Sequence, residues 1–404
     1  MKQEKLPLGL YIHIPFCEQK CKYCDFYSLP HSEELMESYT KAICAHLKEI
    51  APQAKAHSVD TIYFGGGTPT FLGVKPLKTI LAAIMKHYNV AKDAEITFEA
   101  NPDSAGDFKA LRALRRAGFN RISLGMQSAV DGELQAVGRI HTAQQVSAAV
   151  EAARKAKLKN LSLDLIYGLP DQTPESFRTS LETAVSLNPE HISCYGLKLE
   201  EGTPLYRAQE TLDLADDDQQ ADMYLFAVEF LKQHGYLQYE ISNFAKAGFE
   251  SRHNKKYWTL SEYAGFGPGA HSDFGGVRYS FDRDIRAYID ATLHGGRMPV
   301  ESEDLPDWTR DTEYIMLRLR TTEGLDPRYF EKTFRRHFSI FLPLLEKYRA
   351  AGWAEQTAQG FWHLTPQGFL LSNTLIRGLL DVLAEDKRQR AEAAARGDFT
   401  VRRG

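Results

Sequence analysis

The chain has 404 residues, 43% of them hydrophobic and 25% charged, with a formal net charge of -4. That length suits one large domain with a smaller one, and the slight acidity gives no electrostatic case for nucleic-acid binding. No run of about 18 apolar residues suggests a membrane span, and the start MKQEKLPLGL lacks the apolar stretch of a signal peptide.

Six β-rich runs alternate with helical patterns: GLYIHIP from Gly9, DTIYFGGG from Asp60, AEITFEANP from Ala94, RISLGMQS from Arg121, LSLDLIYG from Leu161 and HISCYGL from His191. Between the first two, Leu35, Met36, Tyr39, Ile43, Leu47 and Ile50 follow helical spacing. Thr142 with Gln145 forms a capping box, and Thr173 before Pro174 marks another helix start. Strands in series with helices argue for a parallel sheet curled into a barrel or part of one.

Within the strands, side chains alternate. Leu10, Ile12 and Ile14 oppose Tyr11 and His13; Ile96 and Phe98 oppose Glu95, Thr97 and Glu99. Ile122, Leu124 and Met126 oppose Arg121, Ser123, Gly125 and Gln127, and Leu161, Leu163 and Leu165 oppose Ser162 and Asp164. Each strand therefore has one apolar face, to pack under helices, and one polar face. A closed eight-stranded barrel fills its interior with apolar side chains, so a polar inner face predicts a wider, partly open barrel lined for a polar ligand. The competing arrangement is an open sheet with one wet face.

From about Trp308 the pattern changes to helices and then a hairpin with its turn near Gln359-Gly360, a winged-helix-like order. In an acidic chain this suggests a structural or interaction role. The expected divisions are a barrel over 1–240, a connecting segment over 241–300, the winged-helix-like domain over 301–384 and a charged tail over 385–404. GFGPGAHSDF, from Gly265 to Phe274, reads as a glycine-rich loop closing over the barrel.

Five cysteines is an odd number, and Cys17, Cys21 and Cys24 crowd together. They read as metal-ligating thiolates in a reduced, cytoplasmic chain. They follow the first strand directly, at the end where parallel barrels keep their active sites. Three thiolates can hold a 4Fe–4S cluster by three irons and leave the fourth open, or hold zinc with a fourth ligand. Candidates for that ligand are His13, Asp25, Cys44 and Cys194, although Cys44 and Cys194 sit in patterns typical of buried structural cysteines. Gly65 to Thr70, GGGTPT, lets backbone N–H groups approach an anionic or amino-acid ligand. Glu99, Gln127 and Asp164 lie near strand ends on the polar face, and with Arg139 they suit a zwitterionic ligand bearing a ribose.

C-x3-C-x2-C after a first barrel strand resembles the radical S-adenosylmethionine (radical SAM) superfamily. YIHIPFC, FGGGTPT, NRISLGMQS and DLIYGLP resemble its HemN-like branch, which contains oxygen-independent coproporphyrinogen III oxidases and HemW heme chaperones. The resemblance implies an α/β fold: a partial, open (β/α)6 radical SAM barrel with a C-terminal winged-helix-like α+β domain. It implies that Cys17, Cys21 and Cys24 ligate a 4Fe–4S cluster and that SAM chelates the fourth iron. Tyr11 and Tyr23 are expected to flank SAM, Gly66, Gly67 and Thr68 to hold its methionine end, and Glu99, Gln127, Arg139 and Asp164 its other polar groups.

The oxidases carry a further cysteine two residues beyond the third, where this chain has Phe26, and a long arm before the first strand, where it has about seven residues. Both departures resemble the heme-chaperone branch, as does RHNKKYW from Arg252 to Trp258. There His253 is expected as a heme-iron ligand, Tyr257 and Trp258 as flat surfaces, and Arg252, Lys255 and Lys256 as partners for propionates. His271 is a second candidate for heme or SAM contact. The implied function is to bind heme and pass it to acceptor hemoproteins, respiratory enzymes among them, with peripheral membrane association. The alternative is oxidative decarboxylation of coproporphyrinogen III.

Overall fold

A computed structural model of the chain describes residues 5–296, 298, 300–304 and 307–396. Six strands run parallel in sequence order: β1 (Leu6–Ile14), β2 (His57–Gly66), β3 (Val90–Ala100), β4 (Arg121–Gln127), β5 (Asn160–Tyr167) and β6 (His191–Gly196). Helices Met36–Ile50, Val74–His87, Phe108–Ala117, Ala143–Lys155 and Pro174–Ser186 supply crossovers between them. Two of these open with the expected capping chemistry: Thr142 with Gln145, and Thr173 with Ser176 and Pro174.

The alternation explains the layers. Leu10, Ile12, Ile14, Phe98, Ile122, Leu124, Leu161, Leu163 and Leu165 are all fully buried. Their partners on the other face, Thr61, Thr97, Arg121, Ser162 and His191, are also buried, so the lumen is polar and enclosed. Thr97, Arg121 and Asn160 stand side by side in register across three strands. Inward polar groups at this depth must satisfy one another or a ligand, since leaving them unpaired costs about 1–3 kcal/mol each.

Among the described residues, flanking strands extend this sheet to twelve. β7 (Leu237–Gln238) and β8 (Asn243–Ala245) add antiparallel beside β6. At the other end β9 (Tyr263–Phe266) runs parallel to β1 and leads into the antiparallel strands β10 (His271–Phe274), β11 (Val277–Phe281) and β12 (Val300–Asp304). The sheet is open, with β7 and β12 as its edges. GFGPGAHSDF is thus not a closing loop: it ends β9, turns through Gly267 and Gly269, whose φ angles are 105° and 78°, and forms β10. Four-residue strands are too short to print a period in the sequence.

The chain forms two compact units. The first runs from β1 through Gln238 and takes in Ser242–Lys256 and Ser261–Asp304; the second comprises Tyr239–Ile241, Tyr257–Leu260 and the described chain beyond Asp304. The second unit holds helices Asp307–Arg318, Pro327–Phe334 and Leu342–Ala350, the hairpin β13 (Ala354–Gln356) and β14 (Trp362–Leu364), and a long helix, Ser372–Ala395. Its core is aromatic: Phe330, Phe338 and Phe341 meet edge to face around buried positions. The segment expected as a tail from 385 continues the last helix to Ala395. Alanines favour it, and Arg388 and Arg390 pair with Glu385 and Asp386 one turn back. Among the described residues no helix is long and apolar enough to cross a membrane.

Candidate functional site

The three cysteines follow β1 on a loop that is fastened at both ends. Phe16–Cys17 pairs in parallel with Leu29–Pro30, closing the base of the loop. Gln19 Nε2 donates to Gly138 O at 3.1 Å, and the Lys22 backbone N–H donates to Val137 O at 3.0 Å, which tie its outer part to the turn that ends the short helix Asp131–Ala136 after β4. Cys17 is buried, Cys21 and Cys24 are half-buried, and all three are free thiols on one cavity of about 600 Å³. Burial holds the Cys17 and Cys24 thiols above their ordinary range.

The glycine loop ends β2 beneath them. The Gly67 N–H donates to Ile14 O at 2.8 Å and the Thr68 N–H to Phe16 O at 2.7 Å, pinning the loop to the strand that delivers Cys17. A Cβ on Gly67 would stand 2.7 Å from Phe16 O and 3.0 Å from Cys17 Sγ, so only glycine fits. Thr68 Oγ1 donates to Cys17 Sγ at 3.6 Å. Gly66, at φ 112°, donates its N–H to Glu99 Oε2 at 3.1 Å, while Tyr63 Oη donates to Glu99 Oε1 at 2.7 Å. Burial, followed by the nearby Asp164 carboxylate among the raising influences, lifts Glu99 to about 7 against the pull of the Tyr63 hydrogen bond.

Strand ends β4 and β5 supply the far wall. Gln127 adopts φ 61° at a register irregularity between β4 and β5, an uncommon conformation for a side-chain-bearing residue that tips it into the cavity. Arg139 donates from Nη1 to Asn101 Oδ1 at 2.7 Å and from Nη2 to Tyr23 Oη at 2.7 Å. It thereby joins the cysteine loop to the end of β3. Asp164 accepts from Ser123 at 2.9 Å, Ser193 at 2.6 Å and Ser162 at 3.2 Å, and burial still raises its carboxyl. Cys17, Cys21, Cys24, Tyr23, Gly66, Gly67, Thr68, Glu99, Gln127, Arg139 and Asp164 all line the one cavity.

The donor set fits a cluster better than a lone ion. Among the described residues no three His, Cys, Asp or Glu side chains converge on a single metal position. A cubane presents its irons at separate corners, so it needs thiolates placed around it rather than meeting at a point. Three of the four alternatives for a fourth protein ligand, His13, Cys44 and Cys194, are not in the cavity wall. His13 accepts from Tyr11 Oη at Nδ1, 3.0 Å, and donates from Nε2 to Tyr27 O at 2.8 Å. Cys44 and Cys194 are buried or half-buried elsewhere, and Asp25, the one candidate in the cavity wall, faces Arg283 at 3.6 Å. What remains around the thiols is a mixture of carboxylates and a guanidinium that suits a zwitterion.

Three expectations meet different surroundings. Tyr11 lies off the cavity, stacked 6.2 Å from Tyr63, so Tyr63 and not Tyr11 reaches the lining from this side. His271 is exposed on β10, away from the cavity lining. His253 is only 1% exposed, inside the lumen. Its neighbour Lys256 is spent on an ion pair with Asp60 at 2.8 Å, and Arg252 pairs with Asp93 at 3.5 Å. Tyr63, Asn101, Arg121 and Ser193 line the cavity without having been singled out. Arg121 and Tyr63 were readable as polar-face positions, whereas Asn101 lies past the strand end and carries no periodic signal.

Sequence comparison places these residues among known proteins. Residues 11–184 match the Radical SAM superfamily and residues 305–371 the HemN C-terminal domain. The chain is 36% identical to the heme chaperone HemW of Bacillus subtilis (strain 168), covering 92% of this chain and 99% of that protein. It is 36% identical to that of Escherichia coli (strain K12), over 92% and 97%, and 34% identical to that of Synechocystis, over 94% and 98%. Among solved structures it resembles coproporphyrinogen III oxidase (HemN) of Escherichia coli, with TM-score 0.80 and 24% identity over 92% of this chain and 90% of that one, a likeness of fold.

Proposed function

Because this chain belongs to the HemW heme chaperone family, within the radical SAM superfamily, we propose that it binds heme and delivers it to acceptor hemoproteins, and that it carries a 4Fe–4S cluster and SAM. The observation that carries the cofactor part is the single cavity in which Cys17, Cys21 and Cys24 share walls with Glu99, Gln127, Arg139 and Asp164. Cys17, Cys21 and Cys24 hold the cluster, and their protons leave as the iron binds. When bound, the cluster supplies one-electron reduction, the chemistry the protein itself lacks.

The chain's own residues position SAM. The side-chain-free backbone of Gly66 and Gly67, held in place by its own hydrogen bonds, gives its methionine end a close approach, and Glu99 offers a carboxylate to its ammonium. Asp164, oriented by three serine hydroxyls, offers acceptors to ribose hydroxyls. Arg139 braces Tyr23 and so fixes the cysteine loop against the cavity wall. Ligand binding here favours ionised Glu99, because a cation beside a buried carboxyl lowers its pKa.

Phe26 supports the heme part of the reading. It lines the cavity yet is 65% exposed, and Tyr195 lines it at 41% exposure. Exposed aromatic surface at a cavity wall suits a planar apolar ligand. Acceptors include membrane respiratory enzymes, reached from the cytoplasm by peripheral contact. The test is anaerobic reconstitution followed by heme titration and a coproporphyrinogen turnover assay on the same preparation. Saturable heme binding without turnover is the expected result; repeated conversion of coproporphyrinogen establishes the oxidase reading instead.

A further inference from the structure

Glu133 is a buried carboxylate, 4% exposed, to which the cofactor reading gives no part. It sits in the short helix Asp131–Ala136. A carboxylate at that depth persists only where hydrogen-bond donors converge on it. Three do, each from a different part of the chain. Ser128 Oγ and Gln172 Nε2 donate to Oε2, the latter at 2.9 Å, and Ser176 Oγ donates to Oε1. Ser128 directly follows Gln127 of the cavity wall. Ser176 lies in the first turn of helix Pro174–Ser186, whose N-terminal dipole adds to the hold on a negative charge.

Gln172, also buried, carries the hold into the rim at β5. Its Oε1 accepts from the Gly168 N–H at 2.7 Å and the Leu169 N–H at 3.4 Å, while Nε2 also donates to Ile166 O at 3.3 Å. One amide thus fixes the turn by which the chain leaves β5, where Gly168 takes φ 77°. Ile166 lines the cavity, and with Val137 and Leu169 it forms a small apolar cluster on which Tyr23 of the cysteine loop rests. The end of the Glu133 helix meets the same loop. Ala136 O accepts from Lys22 Nζ at 2.9 Å, beside the bonds from Lys22 N–H to Val137 and from Gln19 to Gly138. Glu133 and Gln172 therefore join three parts of the cavity wall that are far apart in the chain: the cysteine loop, the end of β4 at Gln127 and the end of β5 at Ile166.

We propose that Glu133 and Gln172 are a pair of positioning residues for the cofactor site, setting the cysteine loop at a fixed separation from the ends of β4 and β5. This rests on the reading of the cavity as a cluster and SAM site. Neither residue lines the cavity, so the pair acts through the walls it holds. The bond between them runs one way, from amide to carboxylate, and that direction makes the pair testable by exchange. Glu133→Gln sets amide against amide, or costs Gln172 its bonds to the β5 turn. Gln172→Glu sets carboxylate against carboxylate. The double variant Glu133→Gln/Gln172→Glu restores one donor facing one acceptor.

The test compares the parent with these three variants, each reconstituted anaerobically and matched for iron and sulfide. SAM affinity is measured by equilibrium dialysis, and the change that SAM makes in the EPR spectrum of the reduced cluster is recorded beside it. Glu190→Gln is the control for a merely structural loss. Its carboxylate holds Arg154 at 2.8 Å and the Leu161 N–H at 3.0 Å, at the opposite end of β5 from the rim. Each single variant should weaken SAM binding by about tenfold and reduce the EPR change. The exchange should return SAM affinity to within about threefold of the parent. Glu190→Gln should lower the midpoint of a thermal melt yet bind SAM within about twofold of the parent. If the single variants bind SAM as the parent does, or Glu190→Gln weakens SAM as much as they do, the proposal fails alone. It fails also if the exchange recovers nothing. If the parent binds no SAM, the underlying reading fails with it. Should one single variant not fold, the other single variant and the exchange decide the matter by the same criteria.

Discussion

Glu99→Gln isolates the cost of keeping a carboxyl in the lumen. The side chain's ordinary value of 4.5 is raised to about 7, first by burial and then by Asp164, with Tyr63, the Gly66 N–H and Arg121 working against the rise. The folded protein therefore binds this proton more tightly than the unfolded chain does. Its stabilising contribution is fully present below about pH 4.5 and is lost as pH climbs through about 7. A shift of this size corresponds to at most about 3 kcal/mol. Glutamine carries no proton, so the stability of Glu99→Gln relative to the parent should rise with pH across that window by up to this amount. Urea unfolding of the cluster-free proteins at half-unit pH steps from 4 to 8 (roughly the range of the titration) measures the difference, and most titrations common to both chains cancel in it. A difference that stays flat across the window would mean that Glu99 binds its proton equally in the folded and unfolded chain, with Tyr63, the Gly66 N–H and Arg121 offsetting burial, which refutes the reasoning.

Cys17→Ser, Cys21→Ser and Cys24→Ser should each abolish or severely reduce iron and acid-labile sulfide after reconstitution, whereas Cys44→Ser, outside the cavity wall, should leave both near the parent level. Gly67→Ala drives a methyl against Phe16 O, Ile14 O and Cys17 Sγ, none of which can swing away, and should cost about 1–3 kcal/mol in a thermal or urea melt along with cluster retention. Gly132→Ala is its control: nothing lies within 4 Å of the new methyl, and the helical setting should add up to about 1 kcal/mol of stability. Arg139→Lys cannot hold both Tyr23 and Asn101, so it should lose about 1–3 kcal/mol and weaken SAM binding in dialysis.

The polar lumen was legible from the sequence because it rests on period-two alternation in long strands. Arg121, Ser123 and Gln127 opposite Ile122, Leu124 and Met126 could only line a wet interior, and the cavity has them on its wall. The cysteine triad and Gly66, Gly67 and Thr68 were equally readable, since each follows a strand directly and must emerge on the same rim. The edges of the sheet were not. β7 has two residues and β8 three, and β9 and β10 are separated by a glycine turn, so their identity comes from pairing with distant strands. The burial of His253 was not legible for a related reason. A histidine between basic residues looks exposed in one dimension, but the residues that bury it, Gly9, Thr61, Tyr63 and Glu95, are contributed by three strands far away in the chain. Tyr11 shows the limit of alternation itself: it stacks on Tyr63, yet of the two only Tyr63 lines the cavity.

Heme delivery is the central claim, and transfer to an acceptor tests it most directly. The reconstituted protein, loaded with one equivalent of hemin and freed of excess, is mixed anaerobically with an apo-hemoprotein and followed through the Soret band. The account predicts that the donor spectrum decays as the acceptor's holo spectrum and activity appear, faster than from free hemin trapped by an inert protein. Heme that stays on the donor, or reaches the acceptor only at the rate of its spontaneous loss, would contradict it.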